Sequence, residues 1–242
     1  MKKNELYSAV EMPVELWVND KILTTFMCTP FDLEDMAIGH LLTRGLVKDI
    51  SNISNIKVDV DTYQIFVITD GPVSNKLYSV PEFVLSGTSS VDKFNDNIYK
   101  VPKIRSDFSI KLTKIIEFAK LLEKEAIIYN TTGGVHGAIV AETNSGKYFV
   151  REDIGRHCAV DKAVGAFAKE GLNFSNAIIS TTGRISLDML LKSAVVQIPV
   201  VSSLKYPSDM GINLANHYGV SIVSRILSEN PLVYTNKQRI SV

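Results

Sequence analysis

The chain has 242 residues, and its 26 lysines and arginines balance 26 aspartates and glutamates, so that the formal net charge is zero. A balanced charge predicts no overall field that would attract nucleic acid or an anionic membrane. An apolar content of 45% and a charged content of 21% are typical of a soluble globular protein, long enough to bury a core in one large domain or two small ones.

The sequence predicts a cytoplasmic protein without a targeting or membrane-spanning segment. The two lysines near the N-terminus are not followed by the apolar run of a signal peptide. The most apolar later stretch, residues 187–203, is interrupted by Asp188 and Lys192, which argues against a membrane span. Two cysteines, Cys28 and Cys158, make no disulfide framework and suit a reducing compartment.

Two β-hairpins are predicted in the first 70 residues. Residues 13–27 alternate between apolar and polar types and turn at Asn19–Asp20, and residues 56–69 repeat the pattern. Residues 70–107 carry Gly, Pro, Ser and Asn without a steady period. We therefore predict a loop there that is mobile near residues 86–96.

A helix is predicted between the two hairpins, in the segment CTPFDLEDMAIGHLLTRGLV. Thr29 is the expected N-cap, Pro30 takes the first helical position, and Gly45 is the expected C-cap. The hairpins and this helix would form a smaller N-terminal subdomain, residues 1–107.

The rest of the chain, residues 108–242, predicts an α/β domain. Residues 109–125 have the clearest amphipathic helical pattern. The elements predicted after it are strand 126–129, hairpin 138–150, helix 158–169, strand 177–181, helix 186–196, strand 198–202, helix 208–217 and strand 220–224. Alternation of strand and helix predicts an α/β layer with a largely parallel sheet.

Polar and glycine residues are concentrated in residues 131–162. Backbone N–H groups of a TTGG loop can turn toward one anion, and arginines bind phosphate bidentately. Loops 181–184 and 202–209 follow predicted strands, and ligands lie at the carboxyl ends of strands in open α/β sheets. The predicted ligand-binding residues are Thr132, Gly133, Gly134, His136, Arg151, Asp153, Arg156, His157, Asp161, Lys162, Arg184 and Ser203.

Structural roles are the alternative interpretation of several of these residues. The charged residues of segment 151–157 could form a solvated salt-bridge cluster, and Asp161 and Lys162 could be a pair on the helix surface. The apolar face of their helix predicts that both point away from the core. Asp188 and Lys192 have the spacing of a favourable i,i+4 ion pair.

Neither a metal site nor hydrolytic deamination is predicted. His136, Asp153, His157 and Cys158 are zinc-competent residue types, but no CxxC or HxxxH spacing is present. The zinc deaminase pattern needs a glutamate two residues after the histidine, and alanine stands there. Cys158 adjoins His157 near a helix N-terminus, a setting that lowers the pKa of a thiol, whereas Cys28 is expected to pack as an apolar residue.

Five segments together resemble the formate dehydrogenase accessory protein family, over about residues 14–234. They are MCTPFDLEDMAIGHLLTRGLV, TGGVHGA, REDIGRHCAVDKAVG, TTGRIS and SSLKYPSD. The resemblance implies a cytidine-deaminase-like α/β domain, a homodimer, and a role in maturing a molybdenum formate dehydrogenase. It also implies binding of the molybdenum bis-guanine-dinucleotide cofactor, which GDP can mimic, and sulfur transfer to that cofactor from a cysteine desulfurase.

The sequence departs from this family at the residues that carry sulfur. Members have a Cys-Gly-x-Cys pair on the mobile loop, and Ser86 and Ser89 stand at those places. A serine hydroxyl cannot hold a persulfide, so any thiol route would have to use Cys158, which replaces an asparagine of the family. Near the C-terminus the family's cofactor-contacting arginine falls on Leu227, and Arg225 could substitute for it.

Three hypotheses follow. The first is a cofactor-binding maturation factor, either a chaperone without sulfur transfer or a carrier that uses Cys158. The second is an enzyme that acts on a nucleotide or another phosphorylated small molecule in the same crevice. The third is a cysteine-less structural partner in a mixed dimer.

Overall fold

The computed structural model describes residues 8–71, 73 and 101–241. The predicted mobile segment 86–96, with Ser86 and Ser89, lies outside the described residues. None of the helices in the described part of the chain is long and apolar enough to span a bilayer.

A four-stranded sheet forms the N-terminal part of the protein, with the strand order β2-β1-β4-β3. Its strands are β1 (Met12–Val18), β2 (Lys21–Cys28), β3 (Ile53–Asp59) and β4 (Gln64–Thr69). Both predicted hairpins are confirmed, and β1 joins them by pairing parallel to β4. Asn19 and Asp20 take φ values of 48° and 63°, the left-handed conformations that a two-residue hairpin turn requires.

Helix α1 (Leu33–Thr43) follows this first hairpin, but the predicted N-cap is wrong. The residue at the N-cap position is Asp32, in a left-handed conformation, and not Thr29. The N–H of Thr29 donates to Asp153 Oδ2 at 3.1 Å, and its hydroxyl accepts from the N–H of Ile154 at 3.1 Å. These long-range hydrogen bonds take the place of local capping. Gly45 follows the helix end with a φ of 63°, as its role in ending the helix requires.

A six-stranded sheet organises the C-terminal part, with the order β11-β10-β9-β8-β6-β7. The strands of this part are β5 (Ile110–Lys111), β6 (His136–Glu142), β7 (Tyr148–Asp153), β8 (Ala177–Thr181), β9 (Val200–Ser203), β10 (Ser221–Ser224), β11 (Leu232–Val233) and β12 (Ile240–Ser241). Only β8–β9 and β9–β10 pair parallel within the six-stranded sheet. The prediction of a largely parallel sheet is therefore wrong, because the β6–β7 hairpin and β11 add antiparallel pairings at both sides. The short strands β5 and β12 pair with each other separately.

Helices cover both faces of the six-stranded sheet. They are α2 (Leu112–Glu125), α3 (Ile127–Thr132), α4 (Arg156–Lys169), α5 (Leu187–Val195) and α6 (Asp209–Tyr218). Alternate residues of β8 face opposite clusters: Ile178 packs with α2, and Ile179 packs in the larger cluster that contains α1, α4, α5 and the N-terminal sheet. The buried apolar core thus includes residues from both predicted parts of the chain. The boundary at residue 107 stays a prediction.

The predicted strand 126–129 is wrong, because helix α3 occupies that position. The carboxylate of Glu152 accepts the N–H groups of Ile128 at 3.0 Å and Tyr129 at 2.6 Å. Free N–H groups in the first turn of a helix need such an acceptor. A residue on β7 therefore stabilises a helix that the local apolar pattern does not indicate.

Helices α1 and α4 lie in direct backbone contact. A Cβ atom added at Gly39 would overlap the carbonyl oxygen of Asp161, and one added at Gly165 would overlap that of Asp35. Both positions therefore require glycine. This close approach brings the charged side chains of α1 against those of α4.

Candidate functional site

Five strand ends meet at one edge of the six-stranded sheet. His136 pairs with Asp153 across β6 and β7. Thr181 at the end of β8 pairs with Ser203 of β9, which in turn pairs with Ser224 of β10. Because β6 pairs antiparallel to β8, its first residue lies at the same edge as the last residues of β8, β9 and β10. We call this edge, with the loops that leave it, the site edge.

Buried serine hydroxyls connect the loops of the site edge. Ser203 Oγ donates to the carbonyl oxygen of Gly183 at 2.6 Å and accepts the N–H of Lys205 at 2.9 Å. Ser224 Oγ donates to the carbonyl oxygen of Lys205 at 2.6 Å. Both serines are fully buried. The predicted ligand-binding residue Ser203 thus has its hydroxyl engaged within the protein, where it positions the neighbouring loops.

Positive side chains gather around His136. Burial lowers the pKa of His136, and the nearby charges of Arg156, Arg184 and Lys205 lower it further. Burial also lowers the pKa of Arg156, and so does the charge of Arg184. We call Arg156, Arg184 and Lys205, which surround the neutral His136 ring, the cation cluster; mutual repulsion among the three charges would be relieved by an anion.

The approach of Arg156 to His136 depends on a glycine. A Cβ atom on Gly183 would lie 3.0 Å from Cβ of Arg156 and 3.5 Å from Nδ1 of His136. The His136 ring is also 3.4 Å from the hydroxyl of Thr182. Arg156 begins α4, and Asp153 holds the residue before it by accepting the N–H of Gly155 at 2.8 Å. The TTGR and REDIGR motifs are therefore in contact because Gly183 leaves room for Arg156, and because Asp153 fixes the start of α4 through Gly155.

Unpartnered polar atoms are concentrated beside the cation cluster. The described residues include seven buried side-chain nitrogen or oxygen atoms without a hydrogen-bond partner. Four of them belong to the beginnings of α4 and α5: Arg156 Nε, His157 Nε2, Ser186 Oγ and Asp188 Oδ2. Because buried polar groups nearly always have a partner, these four atoms are the ones that a bound polar group would contact here.

His157 contributes a neutral ring to this place. Burial lowers its pKa to about 3, and the charges of Lys192 and Arg156 act in the same direction. Burial raises the pKa of Asp188, whereas the charges of Lys192 and Arg156 lower it. The predicted i,i+4 pair between Asp188 and Lys192 is absent from the ion pairs of the described chain, because Lys192 Nζ lies 2.7 Å from Asp161 Oδ1 instead.

Asp161 and Lys162 do not point away from the core, so that prediction is wrong. Both are fully buried between α4 and its neighbours. Asp161 accepts hydrogen bonds from Lys192 at 2.7 Å and from the Thr43 hydroxyl at 2.7 Å. Lys192 and a hydrogen bond with the His40 ring hold the pKa of Asp161 below its usual value, against the opposing effect of burial.

Lys162 pairs with a second buried carboxylate. Its Nζ lies 2.7 Å from Asp153 Oδ2 and donates to the carbonyl oxygen of Thr29 at 2.8 Å. Arg151, also predicted to meet an anion, instead pairs with Asp35 on α1 at 2.8 Å. The charged motif of segment 151–162 therefore mainly joins α4 and β7 to the N-terminal part. Arg156 and His157 are the members that keep unpartnered atoms.

The predicted anion-binding loop at Thr132, Gly133 and Gly134 is wrong, because these residues end helix α3. The N–H of Gly133 donates to the carbonyl oxygen of Tyr129 at 2.8 Å, and that of Gly134 donates to the Thr132 hydroxyl at 3.0 Å. Gly133 has a φ of 63°, the usual conformation just after a helix. Both amides are therefore engaged within the chain.

The prediction of an acidic thiol at Cys158 is wrong. Burial raises its pKa well above the ordinary value, and the charges of Asp153 and Asp161 add to this effect. Cys28 packs as a buried apolar residue, as expected, and this burial raises the pKa of its thiol to about 12. No cluster of three or more metal-ligating side chains occurs among the residues that the structure describes.

Arg225 lies at the outer end of the site edge. It is exposed and has a φ of 51°, and its guanidinium donates to the Tyr206 hydroxyl at 3.1 Å. The same guanidinium lies 5.7 Å from the centre of the Tyr206 ring. Sequence reasoning missed Lys205 and Asp188 as members of this region. Lys205 lies in the loop after β9, and Asp188 lies in the first turn of the helix that follows β8, so their position after parallel strands was the available signal.

Known proteins of one family match this chain over nearly its whole length. The model of the FdhD/NarQ family matches residues 9–241. A protein named "Sulfur carrier protein FdhD" from Geobacillus kaustophilus is 28% identical, over 97% of this chain and 90% of its own length. A protein of the same name from Methanothermobacter thermautotrophicus is 26% identical, over 95% of this chain and 90% of its own length.

A solved structure supports the same relationship. The crystal structure of a candidate formate dehydrogenase accessory protein from Desulfotalea psychrophila has a TM-score of 0.78 and 27% sequence identity. The match covers 96% of this chain and 90% of that one. The chain therefore belongs to the FdhD/NarQ family.

Proposed function

We propose that the chain acts in the maturation of a molybdenum formate dehydrogenase by binding the molybdenum bis-guanine-dinucleotide cofactor at the site edge. Family membership supports the formate dehydrogenase connection, since a similar structure is described as a formate dehydrogenase accessory protein. The observation that carries the proposal is the cation cluster, in which Arg156 Nε is buried without a partner. A cofactor with several phosphates suits that arrangement.

Arg156 and Arg184 are the residues that would hold a diphosphate. Guanidinium groups bind phosphate through paired, charge-assisted hydrogen bonds, each worth about 1.5–3 kcal/mol. The low pKa of His136 leaves its ring neutral at pH 7, able to donate one hydrogen bond and accept another. The bound cofactor would supply the molybdenum centre, and the chain's own residues would bind and orient its phosphates.

The chain is proposed to handle the cofactor without carrying sulfur itself. A persulfide carrier needs an accessible thiolate. Burial raises the pKa of both thiols, and Cys28 and Cys158 are the only cysteines in the sequence. In this respect the chain would differ from its relatives named sulfur carriers, and a cysteine desulfurase would not load sulfur on it directly.

Two further aspects of the resemblance remain proposals. We propose cytidine-deaminase-like layering for the C-terminal part, supported by a mixed sheet with helices on both faces. We also propose that the protein is a homodimer and acts in the cytoplasm. Light scattering of the purified protein tests the oligomeric state.

Isothermal titration calorimetry with GDP and with pyrophosphate tests the cofactor site. Arg184→Ala is expected to weaken binding of both ligands by about ten-fold or more, because one charge-assisted phosphate contact is lost. Arg105→Ala is the matched control, because Arg105 is an exposed arginine far from the site edge. Its neighbour Ile104 contacts Gly219, which precedes the start of β10, whereas the site edge lies at the end of β10. Equal loss in both variants, or no binding of either ligand to the wild type at millimolar concentration, would contradict the proposal.

A further inference from the structure

A cavity of about 460 Å³ lies away from the site edge, at the far end of helix α5. Helix α5 begins beside the site edge and ends at Val195, which lines the cavity together with Val196. The nine residues of this helix span about 13 Å at a rise of 1.5 Å per residue. The cavity is therefore separate from the cation cluster and from the proposed cofactor site.

Apolar side chains form most of the cavity wall. They come from the end of α1, from the turn before β8, from the end of α5 and from the segment before β5: Leu42, Val47, Phe174, Val195, Val196 and Pro102. Leu42 and Val47 are buried, and the half-buried Phe174 stacks on Phe167 with ring centroids 5.0 Å apart. A cavity of this volume and lining suits a small, largely apolar molecule.

The helix ends at the cavity have backbone carbonyl groups that are occupied within the chain. The carbonyl oxygen of Leu42 accepts the N–H of Gly45 at 2.9 Å. The side-chain amide of Gln197 donates to the carbonyl oxygens of Ala194 at 2.7 Å and Pro102 at 3.1 Å. These two bonds hold Gln197 at a φ of 62°, which is uncommon for a residue other than glycine. Engaged carbonyls keep the wall apolar and weaken the repulsion that a helix C-terminus exerts on an anion.

Lys48 provides the charge of the cavity lining. It is exposed, and no acidic residue lines the cavity with it. Among the described residues, Lys48 forms no ion pair within 4.0 Å. The carboxylate of the adjacent Asp49 instead accepts the N–H of Ser51 at 2.9 Å. A ligand carboxylate at the mouth of the cavity would therefore be attracted by Lys48, and a ligand ammonium would be repelled.

We propose that this cavity binds an aliphatic monocarboxylate of medium chain length, with its chain against the apolar wall and its carboxylate beside Lys48. Burial of each additional methylene in the cavity should strengthen binding by about three- to four-fold. The exposed ion pair with Lys48 should contribute at most about five-fold. Apolar burial therefore supplies most of the affinity, and Lys48 selects the charge of the ligand. This site does not depend on the proposed function.

Calorimetric titration of the wild type with hexanoate, octanoate and octylammonium tests the proposal. Octanoate is expected to bind about ten-fold more tightly than hexanoate, because it buries two more methylenes, and more tightly than octylammonium. Lys48→Gln should weaken octanoate binding by about three-fold and remove its advantage over octylammonium. Lys120→Gln is the matched control and should change neither, because Lys120 is exposed on α2, across the six-stranded sheet from the cavity.

Filling the cavity provides a second test. Val195→Trp should abolish octanoate binding, because the larger side chain occupies the space of the ligand. If Val195→Trp does not fold, Pro102→Trp places the same ring at the cavity from an exposed position and is expected to have the same effect. Absence of saturable octanoate binding to the wild type at millimolar concentration, or undiminished binding in a folded tryptophan variant, would overturn the proposal. Equal loss in Lys48→Gln and Lys120→Gln would also overturn it.

Discussion

Replacing Lys162 by methionine should strongly destabilise the protein. Its Nζ lies 2.7 Å from Asp153 Oδ2, both side chains are fully buried, and the same ammonium donates to the Thr29 carbonyl oxygen. Lys162→Met leaves the Asp153 carboxylate buried without its cation. Breaking one partner of such a pair costs about 3–5 kcal/mol, a large share of a typical unfolding free energy of about 5–15 kcal/mol. Urea unfolding followed by the fluorescence of Trp17 measures this loss.

A matched substitution on the same helix provides the control. Lys169 pairs with Asp35 at 3.0 Å, but its side chain is 38% exposed, so Lys169→Met should cost about 1 kcal/mol or less. The double variant Asp153→Asn/Lys162→Met should be more stable than Lys162→Met, because it removes the stranded charge. If Lys162→Met were no more harmful than Lys169→Met, the reasoning from the buried pair would be refuted.

Two predictions concern titration and thiol chemistry. The folded-state pKa of His157 is about 3, below its ordinary value of 6.5. Below about pH 6.5 the unfolded chain therefore takes up a proton that the folded chain does not, and stability should fall with decreasing pH until about pH 3, by about 1.4 kcal/mol per pH unit. His157→Gln should show a shallower decline in urea unfolding between pH 6.5 and 4.5, and an unchanged slope would count against the assignment. Cys28 and Cys158 should react with a disulfide reagent only after unfolding, and rapid labelling of the native protein would reopen the thiol route.

Local sequence signals predicted the elements whose contacts are local. The hairpin turn at Asn19–Asp20 was predictable because those two residues tolerate left-handed conformations. The short helix around Ile127 was not, because its first turn depends on the carboxylate of Glu152 in a strand more than 20 residues later. Thr29 similarly makes hydrogen bonds to residues about 125 positions away instead of capping the nearby helix.

The convergence of the motifs could be predicted from the sequence, but the partners of their side chains could not. The motifs meet at one sheet edge, because strand ends and their loops define that edge. The partners of Asp161 and Lys162 could not be predicted, since α1 and α4 touch at glycines that are distant in the sequence. The raised pKa of Cys158 follows from the same packing, because a buried first turn overrides the expected effect of a helix N-terminus.

A crystal structure of the protein with GDP tests most directly whether a guanine nucleotide binds at the site edge. We expect phosphate oxygens within hydrogen-bonding distance of Arg156 and Arg184. Ordered GDP at another surface, with Arg156 and Arg184 untouched, would contradict this expectation.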